Sequence, residues 1–506
     1  MRVSRLVPRL STCPLPLKLA LAIGAASFAA SFVLVLAIGW LKLPNDVEGQ
    51  LLYEASRIRR GLPLYADPLA GAFDDGPLPI RKYVLYTPVW PLLTSAVPIA
   101  HALVVWRTVA AVVWFVGILA LAAWPAPGGR APELRPAAWV VALSFGGFFL
   151  LARSGYEAKP DTLPALLSAC ALARTLRHKR LDPLSAALFA VAALTKPNMV
   201  GVAYGVFLCD IATRRTRSAP SLAAAVIVAG AGMAAFAWSS HGAWLGHLHA
   251  SAMMPISPYR WLGYLRDYAL LLGLPHALVA VLAWRACRRE RTAGPPERAP
   301  LYGPAALATS IAWACFAMGK HGSGTAYWLE PTMAMIAVLA YSAPISLGPR
   351  GDATARLLAP ILPVALGAMS IPFFLREWSS SEHDAAHVRN VRAACRLGPG
   401  EAAAASDTGL EMALAGRVTW APWATTFLIR SGAFPLSTIE ADYARPALAC
   451  FVDRGCETVT PEPVPFDPGS EHSIFRFELR DTILRNFRLE TRVDGECIFR
   501  RTAASP

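Results

Sequence analysis

Charge is the scarcest ingredient of this 506-residue chain. Asp, Glu, Lys and Arg make up 16% of it, against about a quarter in soluble proteins. Cysteine is sparse, with 9 in all, which excludes a small disulfide scaffold. The 42 prolines and 36 glycines never gather into a low-complexity tract, so collagen-like and disordered classes fall away too. Neither a glycine-rich phosphate loop nor a dinucleotide glycine fingerprint occurs, which argues against a nucleotide-driven pump. What the chain has in abundance is apolar length: 55% of its residues are hydrophobic. A polytopic membrane protein follows.

The net charge of +14 is unevenly spread. Residues 375–506 hold 15 basic and 18 acidic side chains and no lysine, so the excess lies in the first 374 residues. There it sits in short loops between apolar segments: Arg130/Arg135, Arg177 to Arg180, Arg214 to Arg217, Arg285 to Arg298, and Arg350/Arg356. That is the positive-inside pattern of cytoplasmic loops rather than a basic patch for nucleic acid.

A bilayer core needs roughly 20 apolar residues per helix. Eleven crossings are predicted near 17–41, 103–124, 137–152, 161–176, 183–195, 197–212, 219–238, 267–285, 301–318, 327–346 and 356–374. The first follows a basic N-terminus and reads as a retained anchor, N-terminus inside, in the cell (inner or plasma) membrane. The apolar stretch 86–100 carries Pro88, Pro91 and Pro98, which break helical hydrogen bonding. Counting it as a crossing would invert every later loop, so it is predicted as a juxtamembrane or re-entrant piece. Loops 42–85, 153–160, 195–198, 239–262 and 319–326 then face outward, with the C-terminal region.

That region, 375–506, is predicted as a soluble extracytoplasmic domain beyond a transmembrane domain of residues 1–374. Its alternating run Ser473 to Leu479 reads as a strand, and His383 to Arg396 as a helix, giving a small α/β unit. Cys395, Cys450, Cys456 and Cys497 could form up to two disulfides in an oxidising compartment, with three connectivities open.

The first outward loop opens on Asn45-Asp46-Val47-Glu48-Gly49. Two carboxylates at i and i+2 could serve as general base and as its tuner or cation ligand. Asn45 followed three residues on by Glu48 also reads as a capping box starting an amphipathic helix 46–60, with Gly61 as its stop. The two readings are compatible, since a cap is a rigid way to place a carboxylate.

Three outer ends carry lysine beside proline or glycine: Arg153 to Asp161 with Lys159, Thr195-Lys196-Pro197-Asn198, and Gly319-Lys320-His321-Gly322 running to Tyr327. The orientation rule does not explain cations there. Converging at one face, they would make a phosphate site, although each could snorkel alone and Lys159 could pair with Glu157 or Asp161. His241, His247 and His249 share a loop but lack a metal-ligand pattern, so no metal site is read from them.

In this order the elements resemble the GT-C superfamily of membrane glycosyltransferases, in particular its family-39-like, mannosyltransferase-type members. Asp46-x-Glu48 is followed by Tyr53 and Gly61-x-Pro63-x-Tyr65, then by Tyr86-x-Pro88. Lys159-Pro160-Asp161-Thr162-Leu163 is similar to the family's R/K-x-D-x-L element, and Thr195-Lys196-Pro197-Asn198 to its T-K-x-x element. Lys320-x-Gly322-Ser323 with Tyr327-Trp328-Leu329-Glu330 matches its late outer loop. The resemblance spans most of 17–346, and Ala405 to Leu410 looks like the start of the outer domain many members append. Where relatives place adjacent acidic residues, this chain has Asp46 and Glu48 separated by Val47.

The resemblance implies a mainly α bundle of about 11 transmembrane helices with juxtamembrane helices and the outer α/β domain. It implies a polyprenyl-phosphate-linked sugar as donor and a hydroxyl on a lipid, glycan or protein as acceptor. Asp46 would be the general base and Glu48 its assistant or part of a divalent-cation site. Lys159, Lys196 and Lys320 would hold the leaving phosphate. Tyr53, Tyr65, Tyr86, Arg153, Asp161, His321, Tyr327 and Glu330 complete the expected substrate site. Transfer would invert in a single displacement. The competing classes are a transporter or flippase for a lipid-linked saccharide and a non-catalytic membrane anchor or assembly protein.

Overall fold

The computed structural model describes residues 14–74, 76–84, 86–123, 135–214, 218–254, 256–277, 281, 284, 301–320, 324–341, 359–459 and 473–502. His321 and the basic loop residues Arg130, Arg215, Arg217, Arg285 to Arg298, Arg350 and Arg356 lie outside the described residues. Helices dominate, with one small mixed sheet near the C-terminus.

Among the described residues each predicted crossing contains helix, but the helices differ in length. Among the described residues, four helices are long and apolar enough to cross a membrane: Leu15–Leu41, Ile99–Ala123, Ala219–Ser239 and Ile361–Ser379. The pair Ala138–Gly146 and Phe149–Tyr156, bent by 69°, has the apolar length of a broken span or a re-entrant loop. The helices Pro183–Thr195, Gly201–Thr213 and Tyr302–Met318 are apolar but shorter. At 1.5 Å per residue the first of these is only about 20 Å long. The count of eleven full crossings therefore remains an expectation, while a multi-pass, mainly α architecture stands. Residues 86–100 hold the seven-residue helix Val89–Ser95 and the first residues of Ile99–Ala123. Seven residues reach about 10 Å, too little to cross.

Local signals set the helix ends. Asn45 accepts from the Val47 and Glu48 amides while Glu48 reaches back to the Asn45 amide, so the capping box starting Asp46–Arg59 is formed. Gly61, at φ 71°, follows that helix, a backbone conformation glycine adopts without steric cost. Asp182 caps Pro183–Thr195 through the Leu184 and Ser185 amides.

One apolar core binds the bundle, built around Trp114, Phe145, Phe148, Phe149 and Leu172 and closed by Leu329 to Val338. The helix Ile361–Cys395 runs on from the bundle into the C-terminal region without a break. There the sheet has the order β1-β2-β4-β3, with β1 Ala402–Ala405, β2 Leu448–Asp453, β3 Phe487–Val493 and β4 Glu496–Arg501. β1 and β2 are parallel; β4 is antiparallel to both neighbours. Alternate residues serve two cores: Ala402, Ala404, Phe451 and Phe499 on one face, Ala403, Ala405, Val452 and Ile498 on the other. Disulfides join Cys395 to Cys450 and Cys456 to Cys497.

The run Ser473 to Leu479 is not the expected strand but the short helix Ser473–Arg476 followed by a turn. Ile474, Phe475 and Leu479 are all fully buried in one core. A strand would send the neighbours Ile474 and Phe475 to opposite faces; a helical turn buries both together.

Candidate active site

The loops predicted to share one face do converge. They enclose a cavity of about 290 Å³ lined by Tyr86, Arg153, Lys159, Asp161, Lys196, Lys320 and Tyr327 together with Val47, Glu157, Asn198 and Thr325. Four cations thus face two carboxylates on its wall. A helix between the long spans, Ala243–Ala252, closes one side through Ser251, with Met254 beyond it.

The cations are held in place by named partners. Lys159 Nζ lies 2.7 Å from Glu157 Oε2. Lys196 is paired with the Asp161 carboxylate, and both side chains are almost wholly buried. Arg153 Nη1 lies 2.9 Å from Glu377 on the helix Ile361–Cys395. Lys196 also stands 5.1 Å from the Tyr327 ring centroid, and the Tyr327 hydroxyl accepts from Asn198 Nδ2 at 2.8 Å. Lys320 follows helix Tyr302–Met318 in a β-bridge with Ile256. Burial lowers the Lys320 ammonium below its ordinary value. Burial pulls Lys159 the same way, but Glu157 and Glu48 more than restore it.

Glu48 has a partner that lies far from it in sequence. It is fully buried. Arg107 grips both its oxygens, Nε to Oε1 at 2.9 Å and Nη2 to Oε2 at 2.5 Å. Burial pushes its carboxyl up, yet Arg107, Lys159 and the Ala158 amide hold it down at about 2. The Ala158 N–H donates to Glu48 Oε1 at 2.7 Å, while the Ala158 carbonyl accepts from Trp90 Nε1 at 3.1 Å. Ala158, held through both of its flanking peptides, sits between Glu157 and Lys159, which line the cavity. Both Glu48 oxygens are thus engaged by Arg107, Ala158 and Asn45, and Glu48 does not line the cavity. Among the described residues no group of three or more His, Cys, Asp or Glu is placed to hold a metal ion.

Asp46 is not on the cavity wall either; its neighbour Val47 is. Asp46 Oδ1 accepts from the Thr408 amide at 2.7 Å. Three more expected substrate contacts, Tyr53, Tyr65 and Glu330, do not line the cavity. The Tyr53 hydroxyl donates to Asp74 at 2.8 Å, and that of Tyr65 to the Tyr86 carbonyl at 3.0 Å. Glu330 accepts from the Gly201 and Val202 amides at 3.1 and 3.3 Å, capping the helix Gly201–Arg214. Glu157, named in the sequence only as a partner for Lys159, lines the cavity, and its Oε1 accepts from Asn45 Nδ2 at 3.1 Å.

No family model and no curated protein matches the chain by sequence. Among solved structures it is similar to ArnT from Cupriavidus metallidurans bound to undecaprenyl phosphate. The likeness has a TM-score of 0.50 at 14% identity and covers 95% of this chain and 98% of that one. At such identity the likeness is one of fold alone.

Proposed function

We propose that the protein is a membrane glycosyltransferase that moves a sugar from a polyprenyl-phosphate carrier to a hydroxyl acceptor on the extracytoplasmic side. The observation that carries this reading is the single cavity where Arg153, Lys159, Lys196 and Lys320 meet Glu157 and Asp161. Such a wall suits a phosphate whose negative charge grows as the bond to the sugar breaks. The fold neighbour holds undecaprenyl phosphate, a lipid of the kind such a cavity would receive. Two disulfides in the C-terminal region agree with an oxidising compartment.

In the proposed step the acceptor oxygen forms a bond to the anomeric carbon as the bond from that carbon to the phosphate oxygen breaks. The electron pair leaves with the polyprenyl phosphate, and one displacement inverts the centre. Glu157 takes the acceptor proton, because it is a wall carboxylate while Asp46 is turned to Thr408. Lys159 at 2.7 Å keeps Glu157 oriented. Tyr86 and Tyr327 supply the polar, aromatic side on which a sugar ring can rest.

The test uses the full-length protein in detergent with undecaprenyl phosphate as probe. Binding should stabilise the wild type against heat, and Arg153→Met or Lys320→Met should weaken it about 10- to 100-fold, the worth of one charged hydrogen bond. Offered a radiolabelled polyprenyl-phosphate sugar and acceptor lipids, the wild type should release polyprenyl phosphate. Glu157→Gln should bind the carrier and release none. A flippase would leave the carrier intact in both proteins, and an anchor would not bind it; either result removes the transferase reading.

A further inference from the structure

The start of the first loop touches two bodies at once. On one side Asn45 Nδ2 donates to Glu157, and Val47 forms part of the cavity wall. On the other side Asp46 meets the helix Thr408–Ala415 of the C-terminal region. Its Oδ1 takes the Thr408 amide at 2.7 Å, and the Thr408 hydroxyl lies 2.5 Å from the Asp46 carbonyl and 2.8 Å from Oδ1. The exposed amides at a helix start favour carboxylates, and here two supply them: Asp46 from the loop and Asp407, which takes the Leu410 amide at 2.8 Å.

One turn further the two backbones are in contact without side chains between them. A Cβ on Gly49 would lie 2.7 Å from the Thr408 carbonyl oxygen, and one on Gly409 only 2.0 Å from that of Pro44. Contact this close leaves no slack, so a shift of the C-terminal helix moves residues 44–49 with it.

We propose that Asp46 is a positioning residue, and that the helix Thr408–Ala415 is a working part of the transfer site. By gripping Asp46 it sets where Asn45 and Val47 stand, and through Asn45 it orients Glu157. The inference rests on the proposed transferase reading for its consequence and on geometry for its mechanism. It requires of Asp46 an acceptor oxygen, which asparagine also has; a general base requires a carboxylate.

The experiment compares Asp46→Asn, Asp46→Ala, Thr408→Val and Gly409→Ala in the full-length, disulfide-bonded protein. It reads undecaprenyl phosphate affinity and hydrogen exchange of the amides at 44–50 and 157–161. Asp46→Asn should behave as the wild type in both. The other three should exchange faster in both segments and bind the lipid phosphate about tenfold more weakly, as the loss of one charge-assisted contact implies. Unchanged exchange at 157–161 in Thr408→Val and Gly409→Ala overturns the proposal. So does unchanged affinity in those variants, since the grip would then hold the C-terminal region alone. If the wild type itself fails to bind undecaprenyl phosphate, the transferase reading falls, and exchange at 157–161 still decides the grip.

Discussion

Arg107, in the middle of the second long helix, closes on Glu48 with two hydrogen bonds of 2.9 and 2.5 Å in a fully buried setting. The same guanidinium also donates to the carbonyls of Gly39, Lys42 and Leu43. It therefore ties the end of the helix Leu15–Leu41 to the start of the helix Asp46–Arg59. Breaking one half of a buried pair typically costs about 3–5 kcal/mol, because the other charge is left desolvated and unpaired. Glu48→Gln is expected to lower the melting temperature in detergent by several degrees and to raise exchange at Ala158, whose amide loses its carboxylate. Glu48→Leu with Arg107→Met should melt higher than either single variant. Equal melting of Glu48→Gln and wild type would show that the pair does not organise the loop.

The C-terminal region should be more stable in mild acid than in mild base. Burial pushes the Glu411 carboxyl up to about 8, against the pull of its hydrogen bonds from Thr419 and of Arg417. One of its oxygens takes the Thr419 amide and hydroxyl at 3.0 and 2.7 Å, and the other is buried without a hydrogen-bond partner. Burial likewise lifts Glu496 to about 7. An acid whose folded pKa exceeds its unfolded value binds a proton on folding. The stability this gives is complete below about 4.5 and is lost as pH rises toward 8, at about 1.4 kcal/mol per pH unit for one group. Glu411→Gln mimics the protonated form, so it should match the wild type at pH 5 and melt above it at pH 8.5. A pH-independent difference between the two proteins would refute the assignment.

How far the chain could be read in advance follows from how local each signal is. The capping box at Asn45 and Glu48 and the stop at Gly61 are short-range features, and the structure holds both. The converging outer ends were legible because lysine beside proline or glycine stands out among apolar segments; Lys159, Lys196 and Lys320 all reach one cavity. The roles of the acidic pair were not legible. Glu48 finds its partner 59 residues away and Asp46 finds Thr408 at a separation of 362. Val47, lying between them, shows no chemistry in the sequence, yet it is the member of the three that reaches the cavity. The strand expected at Ser473 to Leu479 failed for a similar reason, since only the tertiary core decides that both Ile474 and Phe475 go inside. Helix lengths below a full bilayer crossing are likewise invisible to hydropathy, which counts apolar residues and not where a proline or a cap ends the helix.

Stability and ligand binding should separate at Lys196. Its ammonium meets the Asp161 carboxylate with only 9% and 2% of the two side chains exposed, so the lysine both neutralises a buried acid and faces the cavity. Lys196→Met removes the cation and leaves Asp161 as an unpaired charge on the wall, which destabilises the fold and repels a phosphate. Asp161→Asn added to it removes the stranded charge. The double variant should therefore regain most of the lost melting temperature while undecraprenyl-type lipid phosphates still bind weakly, because the cation is gone. Two neighbours in contact are expected to be strongly non-additive in stability, whereas Lys320→Met should weaken binding with little change in melting. Measuring melting temperature and undecaprenyl phosphate affinity across the four proteins of the cycle checks both parts. Recovery of affinity together with stability in the double variant would mean that Lys196 only balances Asp161 and does not hold the phosphate.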